Sequence, residues 1–237
     1  NERNMITKWQ SIEYITSQNF DRRAFDLLNA ITVVPGAIGA FRKEALNNAG
    51  GFTRDTLAED CDITIRLLKL GYRVTYNEKA VAYTEAPSTV RMFLKQRFRW
   101  SFGIMQSVWK HRDTLLNHNY KNLGLIALPS VLLFHFILPL FSPLAELMMV
   151  LGIIGGFWQQ IVSYYFLFLL LDFLSAAVAF RFEKISLGKL VLLLPQRLIY
   201  RQLMYFVLIK SLIAAIKGTL VGWGILKRTG DIRMGNS

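Results

Sequence analysis

A single cysteine, Cys61, stands among the 237 residues, which excludes an intrachain disulfide and a cysteine-built metal site. Histidine is nearly as scarce, with three in the chain, and His135 has no partner at metal-ligand spacing. Acidic residues are a minority: 16 Asp and Glu face 28 Lys and Arg, a net charge of +12. The basic residues are nevertheless spread among apolar ones and form no polar stripe. That argues against nucleic acid as a partner and for an anionic membrane surface or a phosphorylated substrate. The chain opens on Asn1, without the basic stretch and apolar core of a signal peptide, and reads as a piece of a longer protein.

What is abundant is apolar. Hydrophobic residues make up 53% of the chain, and the mean hydropathy is +0.31, which places part of it in lipid. Residues 123–180 form a run of 58 whose only charged members are Glu146 and Asp172, whereas about 20 apolar residues suffice to cross a bilayer. Pro129, Pro139 and Pro143 predict a broken or interfacial first helix, then crossings over residues 143–158 and 161–180. The loop 181–189 is net positive, and the positive-inside rule assigns it and the tail at Lys227-Arg228 to the cytoplasm. Residues 190–223 then cross an even number of times or lie partly in the interface. Glu146 and Asp172 would each cost about 3 kcal/mol at the bilayer midplane, so they should face protein or a wet path. Asp172 could line a polymer channel or pair with Arg197, Arg201 or Lys210.

Ahead of this region the pattern alternates between helix and strand. Residues 1–31 carry Trp9, Ile12, Tyr14, Ile15, Phe20 and Phe25 at spacings near three and four, an amphipathic helix that either packs on the domain or lies on the membrane. Residues 32–34 read as a short strand entering the loop 35–39, whose Gly36 and Gly39 suit a close approach of backbone to ligand. Helices are expected over 42–49, closed by Gly50-Gly51, and over 59–70, stopped by Gly71. Residues 73–76 and 81–84 look like strands, and Pro87-Ser88 introduces a helix reaching His111. The fold class predicted is α/β plus membrane α-helical. Residues 1–122 form a cytosolic part with interfacial helices, 123–226 transmembrane and interfacial helices, and 227–237 a cytoplasmic tail.

Two clusters carry chemistry. Glu59-Asp60 offers a carboxylate able to take a proton from a sugar hydroxyl, although acidic residues at a helix start are also explained by capping and the helix dipole. Gln96, Arg99 and Trp100 fall at i, i+3 and i+4, one face of a helix, and Arg97 lies beside them. An aromatic and arginine-rich helix next to a membrane is also a common interfacial anchor.

Glu59-Asp60 with Gln96-x-x-Arg99-Trp100 resembles the processive family 2 glycosyltransferases, which include cellulose, chitin, hyaluronan and poly-N-acetylglucosamine synthases. Trp9-Gln10-Ser11-Ile12-Glu13-Tyr14, the 34–39 loop and Ala82-Tyr83-Thr84-Glu85-Ala86-Pro87 look most like the bacterial poly-β-1,6-N-acetylglucosamine synthases. The resemblance covers essentially the whole chain and is looser in its lipid-embedded part. It implies the second half of a GT-A-like glycosyltransferase domain followed by a transmembrane helix bundle. Asp60 would be the catalytic base, with Glu59 completing its motif, and Ala58 stands where many relatives have threonine. Arg99 would contact the departing diphosphate, and Gln96 and Trp100 the acceptor, with Arg97 belonging more loosely. Gly36, Ala37 and Gly39 would line the acceptor site.

The same resemblance implies inverting transfer from UDP-N-acetylglucosamine onto a growing polysaccharide, with export, at the bacterial inner membrane and with the catalytic part cytoplasmic. Relatives hold Mg2+ or Mn2+ with carboxylates that include an Asp-x-Asp pair upstream. None stands before Asp60, so no metal ligand is assigned here, and the fragment alone is expected to be inactive. Membrane lipid, a small membrane subunit and a polymer deacetylase are the further partners it implies. A hyaluronan, chitin or cellulose-type synthase is the alternative among enzymes. A non-catalytic scaffold or transporter fragment is the alternative outside them.

Overall fold

The computed structural model describes residues 2–218, so the tail at Lys227-Arg228 and the end of the 190–223 stretch lie outside the described residues. The chain starts as one long helical arm: α1 (Met5–Glu13), a π-helical turn (Tyr14–Asn19) and α2 (Phe20–Leu27). Asn4 caps it by accepting from the Thr7 N–H at 3.0 Å. The arm packs rather than floats. Ile6, Trp9, Ile12 and Ile15 are buried in one apolar cluster with Phe93, Ala176, Ala179, Phe180, Leu190 and Leu193.

Helices α3 (Lys43–Asn48) and α4 (Glu59–Lys69) follow, then α5 (Val90–Lys110), capped by the Thr89 hydroxyl. Gly50, Gly51 and Gly71 close α3 and α4 with φ of +78°, +69° and +83°, a region that favours glycine. A second cluster sets Cys61, Ile65 and Leu68 of α4 against Val108 of α5 and against Leu123, Ala127 and Leu128, where the apolar region begins.

The expected strands are absent: among the described residues none of 32–34, 73–76 and 81–84 pairs as a strand, and the α/β expectation reduces to a mostly helical structure. The backbone explains this for two of them. Val34 N–H donates to the Thr64 hydroxyl at 3.0 Å and Val74 N–H to Asn29 Oδ1 at 2.9 Å, so side chains take bonds that a neighbouring strand would otherwise take.

Among the described residues, three helical stretches are long and apolar enough to cross a membrane: Leu123–Leu140, Trp158–Phe182 and Leu187–Ile216. The first corrects the expected break. Pro129 and Pro139 are each preceded by a π-helical segment, Leu123–Ala127 and Leu132–Ile137. This widening relieves the proline ring's clash with the preceding turn, so the helix continues through α6 (Leu128–Val131) and α7 (Leu138–Leu140). The chain turns at Phe141 into α8 (Ser142–Ile154), whose 13 residues reach only about 20 Å. That is short of the roughly 30 Å hydrocarbon layer, so α8 is not the crossing expected over 143–158.

Helix α9 (Trp158–Phe182) covers the stretch expected to make the second crossing and is long and apolar enough for it. Val162, Tyr164, Phe166 and Leu171 stand exposed on it, a surface suited to lipid, while its last turns bury Ala176, Ala179 and Phe180. A 3-10 stretch (Leu187–Leu192) leads into α10 (Leu193–Ile216). This helix is uninterrupted and cannot cross twice, which leaves one crossing or an interfacial course. Both membrane carboxylates are paired. Arg197 Nε donates to Asp172 Oδ2 at 2.8 Å, and Arg201 together with Gln202 donates to Glu146. The positive loop between α9 and α10 lies on the side of the first five helices, because Glu183 binds Arg23 at 3.1 Å and Lys189 binds Glu2 at 2.6 Å.

Candidate active site

The start of α4 and the loop 35–39 meet at one carboxylate. Asp60 Oδ2 accepts from the Gly36 N–H at 3.2 Å, and Oδ1 from the Cys61 N–H at 2.8 Å. One turn on, the Thr64 hydroxyl donates to the Asp60 carbonyl at 2.6 Å while accepting from Val34, so the segment before the loop is strapped to the helix. Thr64 escaped the sequence reading, although its i+4 spacing from Asp60 was a signal. Gly36 and Ala37 are exposed. A methyl on Gly36 would meet Asp60 Oδ2 at an ordinary 3.8 Å, whereas one on Gly39 would strike Phe41 at 2.8 Å and Val34 at 2.9 Å. Close packing at this loop therefore needs glycine at 39.

Glu59 is half-buried, and burial is the main reason its pKa is raised; neighbouring Asp60 adds to the rise, while its own backbone N–H and Arg99 oppose it. Arg99 therefore lies within electrostatic reach of Glu59. Asp62 serves differently. It has no exposed surface and binds His111 Nε2 at 2.8 Å, Lys110 Nζ at 2.8 Å and Arg66 Nε at 2.9 Å. Burial alone would raise its pKa, but the His111 and Lys110 bonds and the nearby Arg66 outweigh it and hold the carboxyl well below the usual range. Arg66 reaches on to the Gly51 carbonyl at 2.7 Å and so ties the Gly50-Gly51 turn to α4.

Helix α5 delivers the second cluster. Gly103 lets it press on the residues just ahead of Glu59: a Cβ there would sit 2.6 Å from the Ala58 nitrogen and 2.8 Å from the Leu57 carbonyl carbon. Gln106 Oε1 accepts from the Leu57 N–H at 2.9 Å. Gln96, Arg99, Gly103, Gln106 and Lys110 recur at threes and fours, so the face bearing Gln96 and Arg99 is the face docked on α4. Gln96 Oε1 is buried without a hydrogen-bond partner, an acceptor that the fold leaves unsatisfied. Trp100 stays 38% exposed.

Arg97 departs from the expectation that it binds substrate. It is 2% exposed, and its Nη2 donates to Glu13 Oε2 at 2.5 Å and to the Tyr200 hydroxyl at 3.2 Å. Sitting one residue after Gln96, it points about 100° away around the helix and into the protein. A residue that no motif marked, Arg22, acts electrostatically on Asp60. Burial lowers the pKa of the half-buried Arg22 guanidinium, opposed by Tyr76, Asp60 and Asp21, so Arg22 is in the field of Asp60.

Among the described residues no group of three or more His, Cys, Asp or Glu side chains could hold a metal ion. Glu59 and Asp60 supply two carboxylates, one of them already held by backbone donors, and this set does not fit a divalent cation by itself.

Residues 1–216 match the family model described as glycosyl transferase family group 2. The chain belongs to this family. It is 30% identical over 103 residues to a protein named poly-beta-1,6-N-acetyl-D-glucosamine synthase of Staphylococcus epidermidis, a match covering 44% of this chain and 25% of the relative. The Staphylococcus aureus protein of the same name matches to the same extent. A probable glycosyltransferase, YdaM of Bacillus subtilis, is 30% identical over 106 residues, 45% of this chain and 25% of the relative. The matched stretch thus spans about a quarter of the length of these family members. No solved structure matches.

Proposed function

We propose that this chain is the carboxy-terminal part of a membrane glycosyltransferase that extends a β-linked N-acetylglucosamine polymer from UDP-N-acetylglucosamine. Asp60 acts as base, taking the proton of the acceptor hydroxyl as its oxygen attacks the anomeric carbon with inversion, while the UDP diphosphate departs. Arg99 offsets the charge growing on the leaving group. Gln96 accepts from an acceptor hydroxyl, Trp100 packs on the apolar face of the sugar ring, and the loop at Gly36, Ala37 and Gly39 borders the same site. Arg97 is a strut in this scheme.

The observation that carries the reading is the docking of α5 on α4 at Gly103 and Leu57-Ala58, which turns the face bearing Arg99 toward the helix start at Glu59-Asp60 and sets Arg99 in the field of Glu59. The names of the staphylococcal relatives support the choice of polymer. In this reading the first five helices belong to the second half of a GT-A-like α/β domain on the cytoplasmic face of a bacterial inner membrane. The apolar helices pass the product outward. Mg2+ or Mn2+ would be held by carboxylates mostly outside this chain and would supply charge to the diphosphate, and a small membrane subunit and a polymer deacetylase are candidate partners.

In the full-length protein, Asp60→Asn should abolish polymer formation and leave UDP-N-acetylglucosamine binding within about twofold. Normal turnover by that variant would refute the base assignment. Incorporation of label from UDP-glucose, but not from UDP-N-acetylglucosamine, would move the protein to a cellulose-type synthesis.

A further inference from the structure

Trp100 is 38% exposed, yet its indole is braced by Arg97 of the same helix, itself tied to two distant segments, and by Tyr14 of the arm. Arg97, one turn earlier on α5, lays its guanidinium carbon 4.3 Å from the indole centroid, inside the cation–π range. Arg97 is fixed in turn by the Glu13 carboxylate at 2.5 Å and the Tyr200 hydroxyl at 3.2 Å. The Tyr200 hydroxyl also donates to Glu13, which closes a ring of three polar groups. Arg97 Nε is buried without an acceptor, so the guanidinium is held from its Nη2 side. Tyr14, next to Glu13, completes the shelf with its ring centroid 6.4 Å from that of Trp100 and tilted by 32°.

Stability is a weak explanation for this arrangement, because desolvating both charges offsets much of what a buried ion pair contributes. Orientation is the stronger one. The planar guanidinium can stack on the indole only while Glu13 and Tyr200 hold it flat. These partners come from the end of α1 and from α10, one of the three stretches able to cross a membrane.

We propose that Glu13, Arg97 and Tyr200 are positioning residues that set the plane of the Trp100 indole for the acceptor sugar, and so tie the acceptor end of the site to the apolar helix α10. This rests on the reading of Trp100 as the acceptor platform. A residue of α10 with no contact to sugar then governs acceptor binding, while the donor end, at Arg99, does not depend on it.

The test uses the full-length protein in native membranes, with a soluble β-1,6-linked N-acetylglucosamine oligosaccharide as acceptor. KM is measured separately for oligosaccharide and for UDP-N-acetylglucosamine. Arg97→Met is expected to raise the acceptor KM about tenfold, the loss of one desolvated cation–π contact, and to leave the donor KM within about twofold. In a Trp100→Ala background the same substitution should change the acceptor KM by less than about twofold, because the group it orients is gone. Tyr200→Phe removes one hydroxyl at unchanged volume, serves where Arg97→Met fails to insert, and is expected to raise the acceptor KM about threefold by the loss of one hydrogen bond. Equal effects in both backgrounds, or donor and acceptor KM rising together, would overturn the positioning role. If Trp100→Ala raises the acceptor KM but Arg97→Met and Tyr200→Phe do nothing, the positioning role alone fails. If Trp100→Ala itself leaves the acceptor KM unchanged, the acceptor-platform reading falls and this inference with it.

Discussion

Asp62 Oδ1 meets His111 Nε2 at 2.8 Å and joins the first turn of α4 to the end of α5, two residues from the proposed base. Lys110 and Arg66 complete the cage around a carboxylate that has no exposed surface. Removing its charge leaves those cations facing a neutral group inside the protein. Asp62→Asn is therefore expected to lower stability by about 3 kcal/mol or more, read from denaturant unfolding of the full-length protein in detergent.

The same carboxylate sets a pH dependence. Its pKa is depressed in the folded protein, so the stability it contributes is complete above the unfolded value of about 4 and drains away as pH falls below it. Melting temperatures measured from pH 7 to pH 3 should show the wild type's advantage over Asp62→Asn shrinking only in the most acid samples. An advantage that shrinks above pH 5 would assign the effect to another group.

Gly103 makes a second, sharper prediction. A methyl group there needs space already held by the backbone of Leu57 and Ala58, and backbone cannot swing aside as a side chain tip can. Gly103→Ala should destabilise by about 1–3 kcal/mol and, by lifting α5 off α4, cut turnover more than it changes donor binding. Ala at the exposed Arg91, about 120° around α5 from Gly103, should do neither.

Much of this arrangement is legible in the sequence, and what is not has a common physical cause. Helix α4 announces itself by its acidic first turn and by Gly71, and α5 by Pro87-Ser88 just ahead of it, because these are local signals a few residues long. The triplet 32–34 reads as a strand because its residues are β-branched, but strand pairing is a long-range choice, and here Thr64 takes the Val34 N–H instead. Arg97 resembles a site residue by adjacency alone. Its true partners, Glu13 and Tyr200, lie 84 and 103 positions away, beyond any local pattern. Proline misleads at 129 and 139 for the opposite reason: it signals a break, and the π-helical segments before each residue absorb it.

The ion pair of Asp172 with Arg197 gives a prediction inside the apolar region. Asp172→Leu leaves Arg197 without its carboxylate in a surrounding where an arginine costs about 3 kcal/mol. The double variant Asp172→Leu with Arg197→Leu removes both charges and should recover most of the loss. The measurement is a double-mutant cycle on unfolding in detergent micelles. Additive losses would show that the two side chains do not depend on each other.

Cys61 offers a probe of the same helix start. Its thiol is 1% exposed, and burial, with Asp60 adding to it, pushes its pKa up to about 12. Thiolate is the reactive form, so Cys61 should resist iodoacetamide in the native protein even at pH 9, where an ordinary cysteine reacts readily. In denaturant it should label quickly, and mass spectrometry of the peptide holding Cys61 distinguishes the two states. The folded thiol keeps its proton while the unfolded one loses it above about pH 8.5, so this group contributes stability at neutral pH that is lost as the medium turns alkaline. Gly103→Ala loosens the packing between α5 and α4, so it should speed labelling of Cys61 in the native state; an unchanged rate would mean that α4 stays closed without its contact to α5.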